Sequence, residues 1–494
     1  MEAMYAIAPF PGDCPAPFLA CTIYVSEYVS DQGDYVMADT RQAFIAATRF
    51  GLGAKQGDFD VISGNPKDWL TGQLDPKYIP WAAIKGPPED AGQEQSGEPC
   101  VMACASPAAG DDQPDEARTE RLKEILAQSN RAYTKLAAAR TRAILSSGAP
   151  FFERLARFWA NHFTVSVTRR QDMDVLSAFE CDAIRPHVLG NFRDMLQAST
   201  HHPAMTSYLD NLLSTGPRSQ MGGAAGMGLN ENLAREILEL HTLGVQGGYT
   251  QKDVTEFAKI LTGWTVRTQD TGEGQEFLFA ASQHEPGSKT LLGEVYAEGG
   301  VKEAESALDR LAQHPSTAKF VATKLARHFI ADDPPASAVK KLESVFHDGK
   351  GELLPLYHAL IALDEAWKEP SPKLKTPEDV VFSVLRATDI VGSVGDSKVV
   401  DIFKRAGQMP WSAPSPAGWS DRAADWMGAE ALLQRIEFAK FAAETVHARL
   451  DPVQLMEDTV GPVVSATTRD AVTRAGSAQE GITLLFASPE FQRR

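Results

Sequence analysis

The sequence predicts an all-α fold: a large multi-helix, bundle-like body with a minor β-hairpin and long irregular loops. Apolar residues recur with the 3.6-residue helical period through most of the 494 residues. Strand signals are confined to residues 276–280 and 291–295, which we expect to pair with each other. Two stretches rich in proline, residues 85–115 and 407–428, interrupt the helical pattern.

The helices follow one another along the chain, most of them bounded by glycine, proline or polar turn residues. The longest predicted helix, for example, carries apolar or small residues at the expected spacing, including Tyr133, Leu136 and Ile144. The predicted helices are residues 42–50, 66–74, 116–146, 151–163, 173–185, 192–198, 203–212, 231–243, 252–262, 301–313, 316–330, 338–347, 353–362, 377–391, 429–447 and 468–475. No internal repeat of fixed period accompanies them.

Charge and composition narrow the class of protein. The formal net charge is -17, from 65 acidic and 48 basic residues, which argues against non-specific binding to nucleic acid or to an anionic membrane. No stretch approaches the ~20 consecutive apolar residues of a membrane span. Five cysteines, an odd and scattered set, do not form a disulfide framework. We therefore expect a soluble protein without a membrane span.

The beginning of the chain lacks the basic segment that opens a secretory signal, since its first basic residue is Arg41. A cytoplasmic location is expected on that ground. Two interpretations of residues 1–36 stay open: an integral segment, or an extension ahead of a true start at Met37. We expect residues 37–494 to form one helical domain and residues 85–115 to form a mobile loop within it.

Three predicted helices each place one histidine on an apolar stripe. His162 follows Phe158 by one turn, His241 lies on the side of Leu238, and His328 follows Leu325. A lone inward histidine usually needs only one hydrogen-bond partner in a core. Three of them also suggest a convergent site that binds a metal or moves protons.

His284 has a different setting, in the loop sequence ASQHEPGSK, where no apolar face is expected to bury it. A loop histidine beside a turn is a candidate metal ligand or general base. The predicted metal ligands are therefore His162, His241, His284 and His328.

Two carboxylates near His241 are candidate catalytic residues together with His284. At about 100° per residue, Asn232, Glu236 and Glu239 fall within about 60° of one another on a helix. By the same geometry His241 lies about 140° from Glu236, so the two cannot bind one ion while the helix stays regular. A solvated polar face explains the glutamates equally well, with Glu231–Arg235 as an ordinary i,i+4 pair.

Turn chemistry and aromatic residues account for other parts of the pattern. Thr250 and Asp253 fit a capping box at the start of a helix. Residues 407–428, here named the tryptophan loop, hold three prolines and three tryptophans, and such aromatics usually clamp a loop onto a helical body. No phosphate-binding loop and no nucleophile elbow occurs in the sequence.

Residues 230–264, NENLAREILELHTLGVQGGYTQKDVTEFAKILTGW, resemble the hallmark of the bacterial domain of unknown function 1800 family. Other segments extend the resemblance from about residue 39 to the end of the sequence. They are RFGLGA (49–54), RFWANHFTVS (157–166), HPAMTSYLDN (202–211), HEPGSKTLLG (284–293), KLARHFIADDPP (324–335), GQMPWSAPSPAGW (407–419) and SPEFQRR (488–494). The resemblance implies a large, mostly helical bacterial protein and assigns no role to any residue.

Two functional hypotheses remain. The first is an enzyme, hydrolytic or oxidative, that gathers the four histidines with Glu236 or Glu239 around a proton-transfer centre or a divalent metal ion of open identity. The second is a non-catalytic helical accessory protein. Its partner, as the resemblance implies, would be a sulfatase-like protein of the domain of unknown function 1501 family, often encoded beside this one. Convergence of the histidines in one pocket would favour the enzyme.

Overall fold

The computed structural model describes residues 40–79, 115–167, 173–222, 228–268, 275–368 and 373–494. The predicted extension 1–36 and all but the last residue of the predicted loop 85–115 lie outside these ranges. Helices dominate the described chain and confirm the all-α prediction. The α-helices of five or more residues with printed bounds are Asp58–Ile62, Pro66–Thr71, Asp115–Ser146, Pro150–His162, Met173–Phe179, Phe192–His201, Pro203–Tyr208, Asn232–Glu236, Gln251–Leu261, Val301–Ala312, Pro315–Phe329, Ala336–Asp348, Leu353–Ala362, Pro377–Thr388, Asp396–Ala406, Ala429–Val446, Pro452–Val460, Ala466–Thr473 and Ala478–Ala487.

Three helices change their winding part of the way along. Residues 40–45 continue as the π-helix Ala46–Phe50, Met173–Phe179 continues as Glu180–Ile184, and Asn232–Glu236 continues as Ile237–Thr242. In the last of these, the Leu243 N–H donates to the carbonyl of Leu238 at 2.9 Å, five residues back. The assumption of a regular helix through His241 is therefore wrong, because a π turn is wider than an α turn.

The β-structure consists of two antiparallel hairpins in the described residues. Trp264–Thr268 pairs with Gln275–Phe279, and Lys289–Leu291 pairs with Glu294–Tyr296. The predicted pairing of 276–280 with 291–295 is wrong, since each strand pairs with a partner nearer in sequence. The second hairpin closes through a two-residue turn, Leu292 and Gly293, in which both residues have positive φ (51° and 78°). That geometry matches the twist of the strands it joins.

Two hydrophobic cores meet along the chain. The larger core takes residues from the first part of the sequence to Ala366, including six apolar side chains of the Pro150–His162 helix. The second core is built chiefly from the Pro377–Thr388 helix and the helices that follow it. Asp115–Ser146 contributes apolar residues to both. Polar residues of Pro150–His162 and Pro377–Thr388 therefore meet where the two cores adjoin.

Three helices of the second core were not predicted: Asp396–Ala406, Pro452–Val460 and Ala478–Ala487. Among the helices in the described ranges, none is long and apolar enough to cross a membrane.

Candidate functional site

The Pro150–His162 helix, named here the arginine helix, carries charge into the protein interior. Its first residue is a proline, which fits the first helical turn because its missing N–H would have no partner there. Apolar side chains surround the helix, and Trp159 donates to the Tyr357 hydroxyl at 2.6 Å. Arg154 and Arg157 are nevertheless only 1% and 9% exposed. Buried guanidinium groups need partners, because an unpaired buried charge is costly.

Asp379 supplies much of that pairing. One of its oxygens lies 3.2 Å from Arg154 Nη1 and 3.2 Å from Arg157 Nη2, and the other lies 3.3 Å from Arg494 Nε. Thr376 caps the helix that begins at Pro377, so Asp379 occupies its first turn, where the helix dipole favours a negative charge. Burial alone would raise the pKa of Asp379, but the three arginines hold it well below its ordinary value.

A second carboxylate extends the network. Glu378 accepts from Arg157 Nη2 at 2.7 Å and from Arg140 Nη1 at 3.3 Å, while Arg140 Nε donates to Glu180 at 2.7 Å. Burial by itself raises the pKa of Glu378, and the charges of Arg157 and Arg140 outweigh it, so that its pKa is lowered. Glu378 and Asp379 are thus both ionised at neutral pH.

The tryptophan loop covers this network. The Asn161 side chain pairs with the backbone of Trp419, donating to its carbonyl at 2.9 Å and accepting from its N–H at 2.8 Å. Gly418 has φ +81°, and a Cβ there would meet the carbonyl oxygen of Asn161 at 2.5 Å. The Val167 N–H also donates to the Trp411 carbonyl, at 2.8 Å. The predicted clamping of this loop onto the helical body is confirmed.

Two small cavities lie beneath the loop. The first, the arginine cavity, has a volume of about 40 Å³, and its neighbour has about 60 Å³. Both are lined by Arg157, Asn161, Glu378 and Trp419, while Arg154, His328, Asp379 and Asp421 are among the residues that line the arginine cavity alone. A volume of about 40 Å³ holds about three water molecules.

His328 lines the arginine cavity in a constrained orientation. Its Nδ1 lies 2.8 Å from an oxygen of Asp421, and its Nε2 is buried without a hydrogen-bond partner among the described residues. Burial lowers the pKa of His328 to about 4, with Asp421 opposing the shift. Burial would raise the pKa of Asp421, but its contact with His328 and the charge of Lys373 lower it. The pair therefore consists of a neutral imidazole, protonated on Nδ1, and a carboxylate.

Arginines are concentrated around Asp379, and Asp421 is a further carboxylate at the same cavity. In the described part of the chain, four buried arginines (Arg140, Arg154, Arg157, Arg494) share three carboxylates (Glu180, Glu378, Asp379). Lys375, 2% exposed, is a further buried basic residue. Burial, together with neighbouring arginines, lowers the pKa of Lys375 to about 7 and that of Arg154 to about 9. Nε and Nη1 of Arg157 and both Nη atoms of Arg494 have no hydrogen-bond partner within the described ranges.

The other predicted metal ligands lie elsewhere. His162 and His241 pack together, with ring centroids 6.2 Å apart, and His162 Nε2 donates to the His241 carbonyl at 3.0 Å. Burial lowers the pKa of His241 to about 3 and that of His162 well below its ordinary value. Phe158 contacts the rings of both His162 and His328 and so stands between the aromatic pair and the arginine cavity.

His284 is buried, which corrects the expectation of an open loop residue. It is 7% exposed, its Nδ1 donates to the Thr262 carbonyl at 2.8 Å, and its Nε2 lies 3.1 Å from Glu303 and 3.2 Å from Lys289 Nζ. Lys289 Nζ also lies 3.2 Å from Glu303 and donates to the Glu285 carbonyl at 2.5 Å. These polar partners compensate the burial of the imidazole, and both of its nitrogens are occupied.

The candidate carboxylates Glu236 and Glu239 lie on a half-buried face, away from the buried His241. Glu239 accepts from the Tyr249 hydroxyl at 3.2 Å. Partial burial and the neighbouring Glu239 charge raise the pKa of Glu236. The catalytic role predicted for these two residues stays a prediction.

The four histidines do not converge in one pocket. His162 and His241 form one pair, whereas His284 and His328 each face a different carboxylate. In the part of the chain that the structure describes, no group of three or more His, Cys, Asp or Glu side chains could hold a metal ion. The metal-binding role of the four histidines therefore stays a prediction without geometric support.

Sequence reasoning missed most residues of the arginine cavity. The local sequence of the arginine helix, PFFERLARFWANH, does not reveal them, because Arg154, Arg157 and Asn161 share a polar side typical of a solvent-exposed helix face. Nothing in the sequence pairs those arginines with Asp379, more than 200 residues away along the chain.

Comparisons with known proteins bear on the same region. A family model described as "Protein of unknown function (DUF1800)" matches residues 45–493, a range that includes the arginine helix and the tryptophan loop. No curated protein and no solved structure matches the chain.

Proposed function

The chain belongs to the DUF1800 family, and we propose that it is an enzyme in which His328 acts as a general base on a small substrate in the arginine cavity. The observation that carries the proposal is the arrangement of His328. Its Nδ1 is held by Asp421 at 2.8 Å, and its Nε2 has no hydrogen-bond partner among the described residues. An imidazole with a fixed tautomer and an available second nitrogen is prepared to accept a proton.

The surroundings of His328 suit this role. Asp421 orients the ring and stabilises the imidazolium that forms when Nε2 takes a proton. The lowered pKa keeps Nε2 unprotonated at neutral pH, so that it is an acceptor before reaction. The cavity holds about three water molecules in volume, enough for an attacking water beside a small reacting group.

Hydrolysis is the reaction class that needs least beyond these groups. His328 Nε2 would take a proton from water as the water attacks, and Arg157 would stabilise negative charge that develops on the substrate. The imidazolium would then return the proton to the leaving group. Neither step requires one of the histidines outside the cavity.

A panel of chromogenic aryl phosphate, sulfate and carboxylic esters tests the proposal. We expect the wild-type protein to hydrolyse at least one class, and His328→Gln to lower kcat/KM by about 10²–10⁴-fold while remaining folded. His347→Gln is the matched control, because His347 is 54% exposed near the end of another helix, Ala336–Asp348. The hydrolase hypothesis is refuted if the wild type hydrolyses none of the esters. It is also refuted if His328→Gln hydrolyses every active ester at the wild-type rate.

A non-catalytic accessory role is the second candidate, favoured by one surface observation. Leu432, Leu433 and Ile436 on the Ala429–Val446 helix are 42%, 57% and 54% exposed. Exposed apolar side chains that adjoin on one helix often mark a protein contact. Under this hypothesis the sulfatase-like neighbour binds there, and Leu433→Glu abolishes co-purification of the two proteins; unchanged co-purification would remove this surface from consideration.

A further inference from the structure

We infer that the arginine cavity binds a compact oxyanion, the phosphate, sulfate or carboxylate group of a ligand. The inference names the substrate class of the proposed function. It rests on that function only for the claim that the bound ligand is hydrolysed. Binding itself is a separate property of the arginines and can be measured alone.

The first observation is the set of unused hydrogen-bond donors. Arg157 is 9% exposed and lines the cavity, and its Nε and Nη1 have no hydrogen-bond partner among the residues described. Arg154 Nη1, also at the cavity, forms an ion pair with Asp379 without a hydrogen bond inside the described ranges. Buried donors are normally satisfied, so donors left over at a cavity point to a missing acceptor.

The second observation is the sharing of one carboxylate by three arginines. Asp379 is shared by Arg154, Arg157 and Arg494, and no other carboxylate lies within ion-pair distance of Arg154 or Arg494 in the described chain. Glu378 is already divided between Arg157 and Arg140. A bound anion would supply the missing acceptor atoms. Guanidinium groups bind carboxylate and phosphate with their planar array of donors.

Room and selectivity follow from the lining. The cavity volume of about 40 Å³ suits a group of a few heavy atoms and excludes a large one. The adjoining cavity of about 60 Å³, which shares Arg157 and Trp419, provides space for the remainder of a ligand. Glu378, Asp379 and Asp421 line the same cavity and repel an anion, so the binding site is confined to the arginine side.

Calorimetric titration tests the inference with sodium sulfate, sodium phosphate and sodium acetate, each at constant ionic strength set by sodium chloride. We expect one saturable site for at least one of the three anions in the wild-type protein. Arg157→Gln should weaken binding by about tenfold or more, because charge-assisted hydrogen bonds are lost. Arg157→Lys, which keeps the charge but loses the planar fork, should bind with intermediate affinity.

Arg193→Gln is the control, since Arg193 is 47% exposed and pairs with Asp194 at the surface. It should bind as the wild type does. No saturable binding of any of the three anions by the wild type, or equal binding by a folded Arg157 variant, overturns the inference. Loss of binding in Arg193→Gln as strong as in Arg157→Gln overturns it too.

His328→Gln separates this inference from the proposed function. We expect that variant to bind the anion and to lack turnover. If His328→Gln binds the anion and retains turnover, the oxyanion site stands and the role of His328 as general base is refuted. If the wild-type protein hydrolyses esters through His328 but binds no oxyanion, the general base stands and the oxyanion site is refuted.

Discussion

His284 and His328 each face a carboxylate in the protein interior, but they differ in how many of their ring nitrogens have partners. His284 uses Nδ1 on the Thr262 carbonyl and Nε2 between Glu303 and Lys289. His328 uses Nδ1 on Asp421, and its Nε2 has no partner among the residues described, at a cavity lined by arginines. Proximity to a carboxylate is common to both, so it does not identify a histidine that can do chemistry.

The difference lies in what else each cluster contains. In the His284 cluster, Lys289 is paired with Glu303 and fills the position where a substrate would need to sit. In the arginine cavity two donors of Arg157 have no hydrogen-bond partner among the described residues, and a void remains. The first cluster is therefore complete as a structural element, whereas the second calls for a further component.

The largest effect is expected from Asp379→Asn, which removes the charge shared by Arg154, Arg157 and Arg494. Breaking a buried ion pair from one side typically costs about 3–5 kcal/mol, because the remaining charges stay buried and unpaired. Urea unfolding measures the change in the free energy of unfolding. Asp309→Asn is the control, an exposed residue 3.8 Å from Arg193, and should change it by less than about 0.5 kcal/mol. Equal stability of Asp379→Asn and the wild type would contradict the charge network.

A smaller loss is expected from Glu303→Gln in the His284 cluster. The variant keeps the shape of the side chain, and Lys289 retains the Glu285 carbonyl, so the cost is about 2 kcal/mol. Oxyanion binding and turnover should not change, since the cluster is separate from the arginine cavity. The same denaturation and titration measurements decide this, with Glu305→Gln as an exposed control. Abolished turnover in a stable Glu303→Gln would return His284 to the candidate catalytic residues.

The smallest effect is a change in acid sensitivity through His328. Its folded-state pKa of about 4 lies below the ordinary value of 6.5, so between these values the unfolded chain binds a proton that the folded protein does not. Stability is therefore lost as the pH falls from 6.5 towards 4, by about 1.4 kcal/mol per pH unit for this group. His328→Gln should reduce the slope of unfolding free energy against pH by about that amount. An unchanged slope would mean that His328 is not neutral in the folded protein.

The helical body was predictable because its signal is local. The arginine helix, the capping box at Thr250 and the clamped tryptophan loop all follow from residues close together in the sequence. The pairing of the short strands was not predictable, because the alternating pattern of strands of three to five residues is too short to identify the partner strand.

The candidate site depended on contacts between distant parts of the chain. His328 was recognised as an inward residue from its spacing to Leu325, but its partner Asp421 belongs to the tryptophan loop, 93 residues later. His284 was expected to be open because its loop has no apolar face, and polar partners bury it instead. Apolar periodicity predicts which apolar residues are buried. It does not predict the burial of polar residues whose ion pairs and hydrogen bonds offset the cost of desolvation.

The π turn at Ile237–Thr242 bears on how related sequences should be aligned. A turn closed five residues back contains one residue more than an α turn, so its flanks are oriented as in an α-helix that is one residue shorter. Deletion of a single residue here can be absorbed by a return to α-helical winding, without displacing Asn230 before it or Gly244 after it. A one-residue gap in an alignment of this helix is thus compatible with the same fold. The number of residues between Glu236 and His241 does not by itself fix the distance between their side chains.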